Sequence, residues 1–190
     1  RDYAHAEPVA EASTPLKPLQ RPASAPQRQA GGMRRLLILG WSRRVPALIH
    51  ELAGYRNFRF DVHMVSVLDP AERVAAIQAY SPDTARVECH HSQADYMVEG
   101  ALRGLIEQRF DSILLISSDR LESGEEADAR AMVGYLIVDE LLRDRTQRPQ
   151  LLLELSDPAN EALVVRKRGE TIVGPTILSH LMAQIAQRRE

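Results

Sequence analysis

The residues best placed to do chemistry are Gly40, Trp41, Ser42, Arg43 and Arg44, which follow the apolar run Leu36-Leu37-Ile38-Leu39 and lead into Val45-Pro46. A glycine between a buried strand and a helix start is where α/β proteins hold phosphate, because the first helical N–H groups are free and the helix dipole favours an anion. The dinucleotide fingerprint asks for three glycines: one for the turn, one for approach of the backbone to a pyrophosphate, one for close helix–strand packing. Only the first is present, as Gly40; Ser42 and Val45 occupy the second and third positions, and Trp41 adds bulk beside the turn. The expectation is a nucleotide-binding type of fold with weak or absent NAD and NADH binding. Arg43 and Arg44 are placed either to clamp an anion or to pair with carboxylates across the same crevice. Trp41 reads as a packing residue more readily than as a ring that stacks on a ligand.

A second cluster supplies the carboxylates. Ser117-Ser118-Asp119 follows the apolar run Ile113-Leu114-Leu115-Ile116, and Asp119, Glu122, Glu125, Glu126 and Asp128 lie within ten residues. Hard cations such as calcium take oxygen ligands, so Asp119, Glu122 and Glu125 are candidate metal ligands. The competing reading is an exposed acidic first turn favoured by the helix dipole. Asp69 stands where dinucleotide folds keep a ribose-binding acid, although it follows Gly40 by nearly 30 residues rather than about 20, and Asp69-Pro70 also reads as a helix cap. Cys89, His90 and His91 are metal-ligand types, but strand alternation sends Cys89 and His91 to one face and His90 to the other, leaving two ligands where zinc takes three or four. Ser117 and Ser118 read as turn serines. There is no Gly-x-Ser-x-Gly elbow, no phosphate-binding Gly-x-x-x-x-Gly-Lys-Ser/Thr loop and no His-Glu-x-x-His helix.

These groups are positioned by alternating short apolar runs and helical patterns, the signature of a parallel sheet covered on both faces. Strands are expected at about 35–39, 60–68, 86–90, 112–116, 150–155 and 171–173. Helices are expected between them. The first carries Val45, Leu48, Ile49 and Leu52 at helical spacing, the third Val98, Leu102, Leu105 and Ile106, and the last Ile177, Leu178, Leu181, Met182 and Ile185. Ser123-Gly124-Glu125-Glu126 is a capping box opening a long helix whose apolar stripe is Ala127, Ala131, Tyr135, Val138, Leu141 and Leu142. Asp157-Pro158 repeats the capping chemistry of Asp69-Pro70. The expected fold is a Rossmann-like, doubly wound parallel α/β sheet of about six strands in the order 3-2-1-4-5-6, with helices on both faces. Ligands then collect at the switch point between strands one and four, where the loops at Gly40 and Ser117 face each other. The stripes Ala127, Ala131, Tyr135, Val138 and Ile177, Leu181, Ile185 are also candidate pairing faces, with burial on the domain's own sheet the competing reading.

The chain has 190 residues and a formal charge of -2, so it presents no electrostatic footprint for nucleic acid or an anionic membrane. Residues 1–32 hold five prolines with much Ala, Ser and Gln and no periodic apolar face, and read as a flexible linker before a domain over 33–190. The start at Arg1, without methionine or signal pattern, suggests excision from a longer protein. The single cysteine, Cys89, permits no intrachain disulfide and fits a reducing compartment. No stretch approaches the roughly 20 apolar residues needed to cross a bilayer, so no direct membrane insertion is expected.

The motifs Gly40-Trp41-Ser42-Arg43-Arg44-Val45-Pro46, Glu51-Leu52 with Tyr55, Ala127-Asp128-Ala129-Arg130, Ile172-Val173-Gly174-Pro175 and Leu178-Ser179-His180-Leu181-Met182-Ala183-Gln184-Ile185-Ala186 occur in the order and spacing that resemble the CASTOR/POLLUX family of ion channels. The resemblance covers about residues 33–190. It implies a cytosolic domain of the regulator-of-potassium-conductance type on the cytoplasmic face of a membrane. It further implies an upstream pore and four subunits whose paired domains form a gating ring. The tryptophan and the Arg43-Arg44-x-Pro46 continuation resemble the second such domain of a subunit, which implies a first regulatory domain before the proline-rich segment. After strand three the family tends toward a Gly-Asp turn where this chain has His91-Ser92-Gln93-Ala94-Asp95, so no ligand contact is carried over to that loop.

The reading that follows is a non-enzymatic regulatory domain of a membrane ion channel, working as a homo-oligomer, with candidate ligand-binding residues Gly40, Trp41, Ser42, Arg43, Asp69, Ser117, Ser118 and Asp119. Calcium is the candidate ion. Two alternatives stand beside it: an NAD-dependent oxidoreductase fragment with a degraded dinucleotide site, and a structural assembly module whose crevice is filled by its own side chains.

Overall fold

A computed structural model of the protein describes residues 32–121, 123–164 and 170–187. The expected linker therefore lies almost wholly outside the described residues. Six strands, β1 (Met33–Leu39), β2 (Arg59–Ser66), β3 (Val87–Gln93), β4 (Ser112–Leu115), β5 (Gln150–Leu155) and β6 (Glu170–Val173), form one parallel sheet in the order β3-β2-β1-β4-β5-β6. The helices are α1 (Arg44–Gly54), α2 (Pro70–Tyr80), α3 (Glu99–Ile106), α4 (Gly124–Leu141) and α5 (Gly174–Gln187), with a short 3-10 helix over Pro158–Leu163. The order is the one the sequence predicts.

Alternation along the strands explains the two cores. Leu36 and Ile38 of β1 join Val62 and Met64 of β2 against Val45, Ile49 and Leu52 of α1 and Ile77 of α2. Leu37 and Leu39 point the other way and join Ile113 and Leu115 of β4 against Leu102 and Ile106 of α3 and Ala131, Tyr135 and Val138 of α4. A strand covered on both faces must be apolar at every position, which is why β1 reads as an unbroken run. Gly134 lets α4 come close, because a Cβ there would stand 2.7 Å from two ring carbons of the buried Tyr96.

Local chemistry sets the helix starts. Asp69 accepts from the Ala71 N–H at 2.7 Å, Ser123 from Glu126 N–H at 3.1 Å and Asp157 from Ala159 N–H at 2.8 Å, as side-chain caps do.

Four elements depart from expectation. β2 stops at Ser66, whose hydroxyl accepts from the Leu68 N–H and turns the chain. β3 runs on to Gln93 because β2 pairs with it as far as Ser66↔Gln93, so the segment read as a loop is partly strand. The buried Arg73 of α2 reinforces that end, donating to the carbonyls of Met64 at 3.0 Å and Ser92 at 2.9 Å. α3 begins at Glu99 rather than Asp95, since the Asp95 carboxylate takes the Met97 N–H at 3.0 Å in a turn of its own; Val98 is consequently the exposed cap residue and not part of the apolar face. In α5, Ile177, Leu178, Leu181 and Met182 are 47–62 % exposed. Its main contact is with β6. No described helix is long and apolar enough to cross a membrane.

Candidate functional site

β1 pairs with β2 on one side and β4 on the other, so the chain's direction of winding reverses between β1 and β4, and the loops that follow these strands face each other. Gly40 makes the first turn. Its φ is +98°, its N–H donates to the Val65 carbonyl at 2.9 Å, and a Cβ would lie 2.6 Å from the Ile116 carbonyl oxygen, so the position is closed to any side chain. Trp41 is buried against Val45, Ile49 and Ile116, which makes it a packing residue. Ser42 is buried too, and accepts from the Arg44 N–H through its hydroxyl at 3.3 Å and from the Val45 N–H through its carbonyl at 3.0 Å.

The start of α1 already has an anion. One oxygen of Asp119 accepts from the Arg43 backbone N–H at 3.0 Å and from the Arg43 guanidinium at 2.9 Å. With Ser42 taking the next two N–H groups, the donors that cradle a phosphate in dinucleotide folds are engaged within the chain. Burial works against the charge on Asp119, but the two Arg43 hydrogen bonds and the guanidinium outweigh it and hold the carboxyl below the ordinary range. The other oxygen of Asp119 is buried and makes no hydrogen bond.

Arg44 bridges the crevice a second time. Its Nε lies 2.7 Å from Glu154 of β5 and a terminal nitrogen donates to the Ser117 carbonyl at 3.2 Å. Burial raises the Glu154 carboxyl above its usual value despite Arg44.

Below these pairs, the fully buried Asp128 of α4 gathers the ends of β4 and β5. It accepts from the Ser117 hydroxyl at 2.9 Å, the Ser156 N–H at 2.8 Å, the Asp157 N–H at 2.9 Å and the Asn160 amide at 2.9 Å. Burial alone would raise this carboxyl, but those four donors outweigh it and depress it. Ser117 also lies 3.0 Å from the Ser156 hydroxyl. Among the described residues no imidazole is a partner of this serine; its hydroxyl donates to the Asp128 carboxylate instead.

The structure thus joins Gly40, Trp41, Ser42, Arg43, Ser117 and Asp119 around one crevice. Ser118 lies on the same loop, its hydroxyl accepting from the Arg120 N–H at 3.3 Å. Asp69 caps α2, one oxygen of its carboxylate accepting from the Ala71 N–H. Of the calcium candidates, Asp119 faces a guanidinium, Glu125 is exposed in the first turn of α4, and Glu122 lies outside the described residues. Among the described residues the metal-ligand types that converge are Asp61, His63 and His90 instead. The expectation that Cys89, His90 and His91 split between faces leaving too few ligands counted only one strand; the partners of His90 come from β2. Asp128 was visible in the sequence only as one acid among five, since its four donors come from three other segments. A cavity of about 670 Å³ sits at the opposite end of the sheet, lined by Arg109, Phe110, Asp111, Arg145 and Arg148 among others, away from this crevice.

No sequence-family profile matches the chain, and no curated protein matches it. Solved structures do. The human SLO3 gating ring superposes with a TM-score of 0.51 at 12 % identity, over 74 % of this chain and 24 % of that one. A short-chain type dehydrogenase/reductase from Mycobacterium ulcerans superposes with a TM-score of 0.45 at 14 % identity, over 67 % of this chain and 53 % of that one. The chain spans about a quarter of the first and about half of the second, and the likeness is one of fold: a Rossmann-like parallel sheet.

Proposed function

We propose that this chain is a non-catalytic regulatory domain of a membrane ion channel of the CASTOR/POLLUX type, which couples rearrangement or ligand binding at the crevice to a pore through assembly into a gating ring. The observation that carries the reading is the Asp119 carboxylate on the N-terminus of α1, where a nucleotide-using enzyme of this fold would need an open anion site. Together with the Arg44–Glu154 bridge it forms a clasp across the switch point. Both arginines reach solvent, Arg43 with 87 % of its side chain exposed, so an incoming ligand can compete for them. A ligand that binds the unclasped form more tightly shifts the balance between the two forms, and coupling of about 1–3 kcal/mol is the usual scale.

The likeness of fold to the SLO3 gating ring agrees with this reading, as does the uncovered apolar face of α5, which a second copy of the domain would cover. The partners in the intact protein are then an upstream pore and a first regulatory domain of the same chain, in a homo-oligomer on the cytoplasmic face of the membrane. Neither nucleic acid nor a nicotinamide cofactor has a part in it.

Calorimetry with NAD and NADH tests the proposal. The expected outcome is no saturable heat at about 100 µM nucleotide, and a low-micromolar dissociation constant for either nucleotide would instead support an oxidoreductase fragment.

A further inference from the structure

At the end of the sheet away from the crevice, polar side chains interrupt the apolar face of β2 and β3. Asp61 and His63 are two apart on β2 and so share a face, and the register sets His63 opposite His90 on β3. The Nε2 of His63 lies 3.0 Å, and that of His90 3.2 Å, from the same oxygen of Asp61. The two rings are 4.5 Å apart at a 33° tilt. That Asp61 oxygen is shielded from solvent, and two imidazole nitrogens converge on it.

We propose that Asp61, His63 and His90 bind a divalent transition-metal ion, zinc or a close analogue, which ties β2 to β3. In a tetrahedral zinc site with bonds of about 2.0–2.1 Å the donor atoms stand about 3.3 Å apart. The three atoms here all lie within 4.8 Å of one another, so the site needs only small side-chain rotations to close. Two imidazoles with one carboxylate select zinc-like ions over calcium and magnesium, which prefer oxygen alone.

The surroundings orient the ligands. The second oxygen of Asp61 is fixed by the Arg35 Nε at 2.9 Å, while the rest of that guanidinium donates to the Arg109 carbonyl and the Gln108 amide oxygen. Phe110 packs its ring edge-on to His63 at 5.5 Å. Such outer contacts hold ligands in place for a metal. His90 is 44 % exposed, which leaves a side open to water, and Glu88 approaches its Nε2 to 3.5 Å as a fourth ligand within reach.

This inference does not rest on the channel reading, since the cluster lies apart from the clasp. The test is calorimetric titration of the chelator-treated chain with zinc chloride, with cobalt(II) absorption as the report on ligand geometry. One zinc per chain with a dissociation constant of about 1 µM or tighter is expected. His90→Gln, on a half-exposed position of an edge strand, and His63→Gln should each weaken binding by at least about a hundredfold and remove the cobalt spectrum, while His50→Gln and His91→Gln leave both unchanged. Circular dichroism confirms that the variants are folded. No binding at about 100 µM zinc, or equal binding by wild type, His90→Gln and His63→Gln, would overturn the proposal.

Discussion

α4 and α5 both carry an apolar stripe at helical spacing, and the fold treats the two in opposite ways. Ala127, Ala131, Tyr135 and Val138 of α4 are 0–2 % exposed, locked over β4 and β5. Ile177, Leu178, Leu181 and Met182 of α5 remain about half exposed. Topology explains the difference. α4 leaves β4 and must return to β5, so the crossover lays it across the sheet. α5 follows the edge strand β6, and within the described residues no later strand draws it back over the sheet. A periodic apolar stripe therefore identifies a face, and the place of the helix in the winding decides whether its own sheet covers that face.

The contrast is most easily broken at α4. Tyr135→Ala should destabilise the domain by about 3–5 kcal/mol in urea unfolding, the loss that follows removal of a buried aromatic ring. Next comes the face itself. Leu178→Glu together with Leu181→Glu should leave the monomer's unfolding midpoint nearly unchanged but weaken self-association by about a hundredfold, since two leucines would no longer be buried between copies. A large loss of monomer stability instead would mean that α5 packs on its own domain.

Asp128→Asn comes third. It should cost about 2 kcal/mol at neutral pH, because an amide cannot accept from all four donors and turns its own N–H groups toward backbone N–H groups. The folded carboxyl is depressed below its unfolded value, so its contribution is complete above that unfolded value and is lost as pH falls through the folded one. The gap between wild type and variant should accordingly close below about pH 4, as unfolding at a series of pH values will show. Smallest is Leu181→Ala, expected to shift monomer stability by less than about 0.5 kcal/mol.

The legible part of the fold was whatever is encoded locally. The run Leu36–Leu39 before Gly40, the caps Asp69, Ser123 and Asp157, and the alternation of strands with helices each follow from neighbours in sequence, and they suffice for the strand order. Pairings across the sheet were less accessible. Arg43 could be placed beside the crevice, but its choice of Asp119 over an external anion depends on two loops separated by 76 residues. Asp61 and His63 already shared a face by their spacing, and only the register with β3 adds His90. The reach of β3 to Gln93 was hidden for the same reason, since polar residues with weak strand preference are held there by pairing with β2 and by Arg73.

The central claim is that this domain acts by assembling, with the uncovered face of α5 meeting a second copy. Sedimentation equilibrium of the chain across a range of concentrations tests it most directly. The account predicts a weak, reversible monomer–dimer equilibrium. A strict monomer at several hundred micromolar would contradict it.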